Sequence, residues 1–426
     1  MSAQEARPPI PETMWTAELR GAGFESLSVV ERPVPQPGPR QILCRVEAAS
    51  VSPVDVDLVQ QGRAHRSLFG WDPARWPIVP GSAGSLVVAA VGQGIGHRFR
   101  VGQRLAVSPD LIGPPRLDQE RYGESAQDIC SVTVGFTVPG FLAQYVLLRE
   151  DVLDAGANLI QIDSPPSALS HFGVALGRSL SKVVAAQASM VHILRSGLDG
   201  ERTLRAGILP GGVAVVVGAG PMGILHACHA LLRRPGHLII SEPRPERRAA
   251  AERLASLADM ESTRLHVVEP GRLAQTVRSA SRGRGANDII FAVASAQAQE
   301  GALALAGQGC CVSFFAPNPI QDAVVRLGAL DVHYKGLAIS GSSGNEPGDL
   351  RRAIELQERG AIDLGPFVSA VGGIGAAGTA LRAVAEGRFA GKVVIYPHAH
   401  APEVVPVEGW GSEAEAGFLA ETDGAD

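Results

Sequence analysis

The run Val213-Ala214-Val215-Val216-Val217-Gly218-Ala219-Gly220-Pro221-Met222-Gly223 decides the fold of this chain. Five apolar residues are typical of a buried strand, and a Gly-x-Gly-x-x-Gly turn follows at once. In such a turn the first glycine permits a tight bend, the second lets backbone approach a pyrophosphate, and the third lets a helix pack on the strand. The pyrophosphate would meet free amides at the positive end of that helix. The run therefore predicts a Rossmann unit that binds a nicotinamide dinucleotide.

The next predicted strand ends on an acid where the adenine ribose would bind. Ser241-Glu242 comes about 20 residues after the glycine turn, and a carboxylate there holds ribose hydroxyls and repels a 2′-phosphate. Arg244, Arg247 and Arg248 follow and could instead hold such a phosphate. We expect NAD(H) to be favoured, with NADP(H) as the alternative, and we expect Glu242 and Arg247 to contact the cofactor.

The pattern of predicted secondary structure changes near residue 169. Up to about residue 165, short β patterns are separated by glycine and proline, which predicts a small barrel-like β domain. From Leu169, helical runs alternate with short strands, which is the pattern of a doubly wound parallel sheet. The strands are predicted at 213–217, 237–240, 265–268, 288–293, 310–315 and 337–340.

Bulk composition excludes several classes of protein. The formal net charge of −5 argues against a binder of nucleic acid or of anionic membranes. No apolar run reaches the roughly 20 residues that span a bilayer, and residues 1–14 lack a secretion signal pattern, so we expect a cytoplasmic protein. The five cysteines form no Cys-x-x-Cys pair, which argues against a disulfide framework and a four-cysteine zinc lobe. Cys310 and Cys311 lie in an apolar run and are predicted in a buried strand.

Further motifs share their order with one enzyme family. They are PGSAG at 80–84, VGQRL at 101–105, GFLAQY at 140–145, GCCVSFFAP at 309–317 and AGKVVIY at 390–396. Together with the glycine turn, they resemble the medium-chain dehydrogenase/reductase superfamily over roughly residues 14 to 398. The later motifs are most similar to its polyol and sugar-phosphate members.

The resemblance implies an α/β protein of two domains. A GroES-like β-barrel catalytic domain would cover 1–184 and resume at 342–400, and the Rossmann domain would cover 185–341. Residues 401–426 contain several acids but no lysine or arginine, so we expect a flexible acidic tail. The expected cofactor contacts are Gly218, Gly220, Pro221, Met222, Gly223, Glu242, Arg247, Ala292, Phe315, Ser340 and Lys392.

The chain departs from the family at the residues that bind zinc in zinc-type members. Zinc-type members carry a cysteine where this chain has Ser52, and a Gly-His-Glu where it has Gly81-Ser82-Ala83. A later Glu-Pro pair of those members is matched to Lys182-Val183. Catalytic zinc takes about three N, S or O⁻ ligands from the protein, so we predict neither catalytic nor structural zinc.

Without zinc, hydride transfer needs another electrophile. Lys182 is the predicted replacement, as a cation that neutralises an alkoxide or enolate, unless it only extends to solvent. Ser52, Ser82 and Asp55 are expected to orient substrate hydroxyls, with a turn cap as the alternative for Asp55. The loop Ser52-Pro53-Val54-Asp55 also resembles the Asn-Pro-Val-Asp loop of zinc-free quinone and enone reductases, so ketone and enone reduction both remain open.

The expected substrate is a small polyhydroxylated molecule: a polyol, a sugar phosphate or a cyclitol. Arg63, His65 and Arg66 follow the lost cysteine and are candidates to bind a phosphate or a polyhydroxylated ring, unless the loop is simply solvated. A protein that binds the cofactor without catalysis is a further alternative. Relatives are often dimers or tetramers, and the resemblance implies a homodimer or homotetramer here.

Overall fold

The structure is a computed structural model. It describes residues 9–108, 110–112, 131–149, 152–153, 159–196, 201–256 and 262–422. The chain forms two compact units, one of residues 1–178 and 363–426 and the other of residues 179–362. The predicted boundaries at 184 and 341 are therefore corrected. The second correction is the larger, since the segment 342–362 stays with the second unit instead of returning to the first.

The first unit is built mainly of antiparallel strands, as the short β patterns predict. Its elements up to residue 188 are β1 (Thr13–Leu19), β2 (Leu27–Pro33), β3 (Ile42–Val51), α1 (Pro53–Gln61), β4 (Gly84–Val91), β5 (Arg104–Val107), β6 (Asp110–Ile112), β7 (Ser131–Thr133), β8 (Tyr145–Leu148), β9 (Leu159–Ile162) and α2 (His171–Ala188). The long strand β3 is central and pairs with both β4 and β8. Helix α2 passes into the second unit at Ser179.

The second unit contains one parallel sheet. Its elements are β10 (Val191–Ser196), β11 (Glu201–Ala206), β12 (Val213–Val217), α3 (Pro221–Leu231), β13 (His237–Ser241), α4 (Pro245–Glu252), β14 (Arg264–Val268), α5 (Pro270–Ala280), β15 (Ala286–Phe291), α6 (Ala296–Leu303), β16 (Ala306–Phe314), α7 (Ala329–Lys335), β17 (Ala338–Gly341) and α8 (Pro347–Glu358). The strand order is β14-β13-β12-β15-β16-β17. This is the predicted doubly wound sheet, and it brings the carboxyl ends of its strands to one edge.

The core of the parallel sheet in the second unit is mainly apolar. Val215, Ile289 and Val312 on neighbouring strands are buried together. Both cysteines predicted in a buried strand, Cys310 and Cys311, lie fully buried in β16. Valine and isoleucine dominate because strands covered on both faces need apolar side chains throughout.

The chain then completes the first unit. Its last elements are β18 (Val368–Gly373), α9 (Ala377–Ala385), β19 (Lys392–Tyr396), β20 (Val405–Pro406) and α10 (Ser412–Thr422). Strand β19 pairs with β18 and with β3, so it joins this segment to the sheet of the first unit. No helix in the described ranges is long and apolar enough to cross a membrane.

The predicted flexible tail is wrong for residues up to 422. Glu415 of α10 is only 3% exposed. Its carboxylate accepts hydrogen bonds from the backbone N–H groups of His171 and Phe172, at 2.9 and 2.7 Å, and from the hydroxyl of Tyr396 at 2.9 Å. The tail is ordered because this acid caps the first turn of α2, which would otherwise leave buried amides unpaired.

Candidate cofactor and catalytic sites

The phosphate loop has the backbone that its glycines predict. Gly218 has a φ of +100°, a conformation that a side chain would strain. A Cβ on Gly223 would lie 1.9 Å from the carbonyl oxygen of Gly218. A Cβ on Gly220 would meet only the Arg247 guanidinium, at 3.7 Å. Two of the three glycines are thus required by the protein's own packing, and Gly220 is free to serve the approach of a ligand.

Glu242 is tied to the phosphate loop. It is 3% exposed and lies directly after β13. Its carboxylate accepts hydrogen bonds from the backbone N–H of Ala219 at 2.8 Å and of Arg244 at 3.0 Å. The side chain therefore holds the glycine turn against the next strand while placing negative charge beside it.

The other predicted cofactor residues of the second unit follow strand ends on the same edge of the sheet. Ala292 comes directly after β15, and its N–H donates to the carbonyl of Val217 at 3.0 Å. Phe315 comes directly after β16, and its ring lies edge-on to His226 at 4.5 Å. Ser340 lies near the end of β17 and donates to the carbonyl of Val312. Pro221 and Met222 begin α3.

Lys392 belongs to the first unit and opens β19. It is buried, and burial together with the nearby charge of Arg178 lowers its pKa to about 8, against the opposite effect of Asp55. The charge of Asp55, one of the predicted catalytic residues, thus acts on Lys392, which the sequence predicts as a cofactor contact.

Ser52, Asp55 and Ser82 form one hydrogen-bonded group in the first unit. The Asp55 carboxylate accepts from the backbone N–H of Ser52 at 2.9 Å, from its hydroxyl at 2.6 Å, and from the hydroxyl of Ser82 at 3.2 Å. Asp55 is completely buried and forms the capping box of α1. The turn-cap interpretation of Asp55 is therefore correct, and the same carboxylate also fixes Ser82.

The cation that the structure shows at this group is Arg178 of α2. Its Nη1 donates to the hydroxyl of Ser82, and the side chain is buried. The sequence predicts a cation here, but as Lys182 and not as Arg178. Lys182 lies one helical turn later and is half-buried in the second unit. Arginine in the apolar sequence around residue 178 was the signal for Arg178, because an arginine is seldom buried without a specific partner.

The structure does not bring the three predicted substrate residues together. His65 is buried against the ring of Phe136, its Nδ1 accepts from the N–H of Ser67, and burial lowers its pKa. Arg63 and Arg66 are exposed, and Arg63 lies 3.7 Å from Asp72. His65 thus packs in the core. Residues 113–130, which include Cys130, lie outside the described residues.

A buried polar group that the sequence did not reveal lies in the second unit. His192 of β10 contacts Asp288 of β15 at 2.8 Å, and Cys311 lies in register with Asp288 on β16. All three are buried, and their donor atoms lie within 4.8 Å of one another. Although burial opposes it, hydrogen bonds to Asp288 and Cys311 raise the pKa of His192 to about 10. The imidazolium and the carboxylate thus pair with each other and join β10 to the parallel sheet.

The comparisons with known proteins agree with this architecture. Residues 38–155 match the alcohol dehydrogenase GroES-like domain. L-sorbose 1-phosphate reductase of Klebsiella pneumoniae is 26% identical over 426 residues, which covers 95% of this chain and 97% of that protein. Mannitol-1-phosphate 5-dehydrogenase of Aliivibrio fischeri is 25% identical over 355 residues, covering 82% and 78%.

The fold is shared with a protein of Sinorhizobium meliloti 1021 that is described as a zinc-binding dehydrogenase and is bound to NADP. The two structures align with a TM-score of 0.68 at 21% identity, covering 91% of this chain and 100% of the other. The β domain, the parallel sheet and the glycine turn at its edge occur here in the order that the sequence resemblance implies. The chain therefore contains an alcohol dehydrogenase GroES-like domain, is similar over most of its length to dehydrogenases and reductases, and is a nicotinamide-dependent oxidoreductase.

Proposed function

We propose that the protein interconverts a hydroxyl and a ketone on a polyol, sugar phosphate or cyclitol, using NAD(H) and no catalytic zinc. The observation that carries this proposal is the group of Ser52, Asp55 and Ser82. Its two serines stand at positions where zinc-type relatives have metal ligands, and the relatives named above act on sugar or polyol phosphates.

The residues of this group do not fit a zinc ion. Serine hydroxyls are not among the Cys, His and carboxylate ligands that zinc takes in proteins. The Asp55 carboxylate already accepts three hydrogen bonds. Arg178, which donates to Ser82, and Lys392, whose pKa responds to Asp55, would both repel a dication as positive charges.

The preference for NAD(H) follows from Glu242. Its buried carboxylate stands next to the phosphate loop, where a second negative group such as a 2′-phosphate would be repelled. Arg247 lies near Gly220 on the same side and supplies positive charge for the pyrophosphate.

The test of this proposal measures NADH oxidation with a panel of ketose phosphates, free ketoses and cyclitol ketones, after dialysis against a strong chelator. Turnover at an unchanged rate, in protein with far less than one zinc per chain by mass spectrometry, supports the proposal. One tightly bound zinc per chain, with activity lost on its removal, contradicts it. Turnover of any substrate also excludes the alternative of a cofactor-binding protein without catalysis.

A second candidate function is reduction of a conjugated enone. It is favoured by the Ser52-Pro53-Val54-Asp55 loop, which resembles that of zinc-free enone reductases, and by donors that could stabilise an enolate. The two functions differ in their product. NMR of the product with a cyclitol enone shows either a saturated ketone or an allylic alcohol, and the saturated ketone supports the second function.

We also propose a homodimer that pairs the β17 edge of the parallel sheet. β17 is the last strand in the sheet order, and Ile339 on it and Leu330 and Tyr334 on α7 are exposed hydrophobic side chains. Exposed edges of this kind favour pairing with another chain. Light scattering should give twice the chain mass, and Ile339→Lys should shift the protein toward monomer.

A further inference from the structure

A groove of about 1030 Å³ opens where the strands of the parallel sheet in the second unit begin. Its lining includes Val213, His237 and Ala306, which are the first residues of β12, β13 and β16. The phosphate loop instead follows Val217, the last residue of β12, so the length of this strand separates the two places by roughly 16 Å. The groove is therefore not part of the cofactor site.

The charged side chains that line this groove are all cations. They are Arg278, Arg282, Arg284 and Lys335, and the lining contains no aspartate or glutamate among the described residues. Lys335 lies 3.1 Å from Asp331, but none of the three arginines pairs with a carboxylate in the part of the chain that the structure describes. Three positive charges therefore stay uncompensated in the groove, although the whole chain has a net charge of −5.

The ends of the helices explain only part of this charge. A cation in the last turn of a helix offsets the negative end of the helix dipole, and the effect falls off beyond that turn. Arg278 lies in the last turn of α5, and Lys335 lies in the last turn of α7. Arg282 and Arg284 come after Ala280, the last residue of α5. Their charges thus need an explanation other than the dipole.

The turn that carries these two arginines is fixed before any ligand arrives. The N–H of Gly283 donates to the carbonyl of Arg278 at 2.8 Å, and Nε of Arg284 donates to the carbonyl of Ser281 at 3.2 Å. Arg282 has a φ of +52°, which glycine adopts more readily than a residue with a side chain. An arginine in such an unfavourable backbone conformation indicates that its side chain is used.

The chemistry of the groove favours phosphate groups. Guanidinium groups form paired hydrogen bonds with phosphate oxygens, and arginine is enriched where such groups are recognised. A phosphate ester carries a charge of about −1.5 to −2 at pH 7, so two of them match three uncompensated cations. Sites for small molecules typically measure about 300–1,000 Å³, so the groove has room for a molecule with more than one phosphate group.

A neutral side chain adds a further donor to the lining. The Oδ1 atom of Asn287 accepts a hydrogen bond from the N–H of Val213 at 2.9 Å, which leaves its Nδ2 for a ligand. We propose that this groove binds a small anion with two or more phosphate groups while the dinucleotide occupies its own site. Arg278, Arg282 and Arg284 donate hydrogen bonds to the phosphate oxygens. This binding does not depend on the hydride transfer proposed above.

The test is isothermal titration calorimetry of the full chain with tripolyphosphate, with NADH at saturation so that the phosphate loop is already filled. We expect one tripolyphosphate per chain, bound more weakly as the salt concentration rises. Diphosphate, a sugar bisphosphate and CTP are then compared, and the tightest of them shows whether the phosphates alone, a sugar or a nucleotide form the preferred ligand. Citrate should bind more weakly than diphosphate, and equal affinities would overturn the assignment to phosphate.

Two variants and two controls locate the binding. Arg278→Gln and Arg282→Gln should each weaken tripolyphosphate about tenfold or more, because each removes a hydrogen bond between charged groups. The matched control is Arg272→Gln, since Arg272 is an exposed arginine of α5 outside the lining, and its affinity should equal that of the wild type. Arg247→Gln is the reverse control. Because Arg247 lies beside Gly220, this variant should weaken NADH and leave tripolyphosphate unchanged.

A further variant separates binding from stability. Arg282→Gly removes the charge and also relieves the left-handed backbone, so it should melt above the wild type and yet bind tripolyphosphate as weakly as Arg282→Gln does. The proposal is overturned if tripolyphosphate does not bind the wild type at saturating NADH. It is also overturned if Arg278→Gln and Arg282→Gln keep the wild-type affinity, or if Arg272→Gln loses as much as they do, since the attraction would then come from surface charge in general.

Discussion

Replacing Gly223 by alanine should damage both the fold and cofactor binding, and the structure gives the size of the effect. The new Cβ would lie 1.9 Å from the Gly218 carbonyl oxygen, whereas real Cβ contacts stay above 3.0 Å. The turn must therefore open by about 1 Å. Overpacking of this kind costs about 1–3 kcal/mol. At about 2–4 °C per kcal/mol for a domain of this size, the melting temperature should fall by about 2–12 °C.

The same movement displaces the loop amides that hold the pyrophosphate. Losing one hydrogen bond to a charged group costs about 1.5–3 kcal/mol, so NADH should bind at least about tenfold more weakly. Gly220→Ala is the matched control within the same turn, because its Cβ meets nothing closer than Arg247 at 3.7 Å. It should keep the melting temperature of the wild type and weaken only the binding of NADH, because the new methyl group obstructs the phosphates.

Differential scanning fluorimetry and NADH fluorescence titration measure these two quantities on the same samples. The reasoning is refuted if Gly223→Ala melts and binds NADH as the wild type does. It is also refuted if Gly220→Ala lowers the melting temperature as much as Gly223→Ala, since the turn would then be strained in general rather than blocked at one contact.

Three further predictions concern charge. Glu242→Gln removes the negative charge but keeps an amide oxygen as acceptor. The affinity for NADPH relative to the affinity for NADH should therefore rise at least about tenfold, as measured by the two dissociation constants. His192 has a folded pKa raised from 6.5 to about 10, so its pairing with Asp288 stabilises the fold fully below pH 6.5 and is lost as the pH rises toward 10. Urea unfolding from pH 6 to 9.5 should show this loss in the wild type and not in His192→Gln. Glu415→Ala should lower the free energy of unfolding by about 1–3 kcal/mol, because two backbone amides of α2 lose their acceptor. The control Glu413→Ala, at an exposed position, should change it little. Equal unfolding midpoints of the two variants would disprove the cap.

The architecture was predictable where local pattern and spacing carry the information. Strand β12 begins and ends where the sequence predicts, and the glycine turn and Glu242 follow as expected, since a βαβ unit uses contiguous residues. The hydrogen-bonded polar group of the first unit was only half predictable. Ser52, Asp55 and Ser82 were found as substitutions in known motifs, but the cation beside them was placed on Lys182 rather than Arg178. The two lie one turn apart on α2, so the helical pattern could not distinguish them.

The C-terminal segment also shows the limit of prediction from local sequence. Its acidic composition predicted a flexible tail, and such a prediction holds when the acidic side chains are solvent-exposed. One of those acids, Glu415, instead meets the amides at the start of α2, about 240 residues earlier in the chain. A contact over such a distance in sequence leaves no local signal.

The amino-acid sequence by itself determined the Rossmann unit and its cofactor class, because each depends on residue types within short segments. Only the tertiary structure decided which cation joins Ser82, that Lys392 is buried, and that the tail caps a helix. These are contacts between side chains far apart in sequence. Their partners are chosen by how strands and helices pack, and the change of Lys392 into a group that titrates near pH 8 follows from the burial that this packing creates.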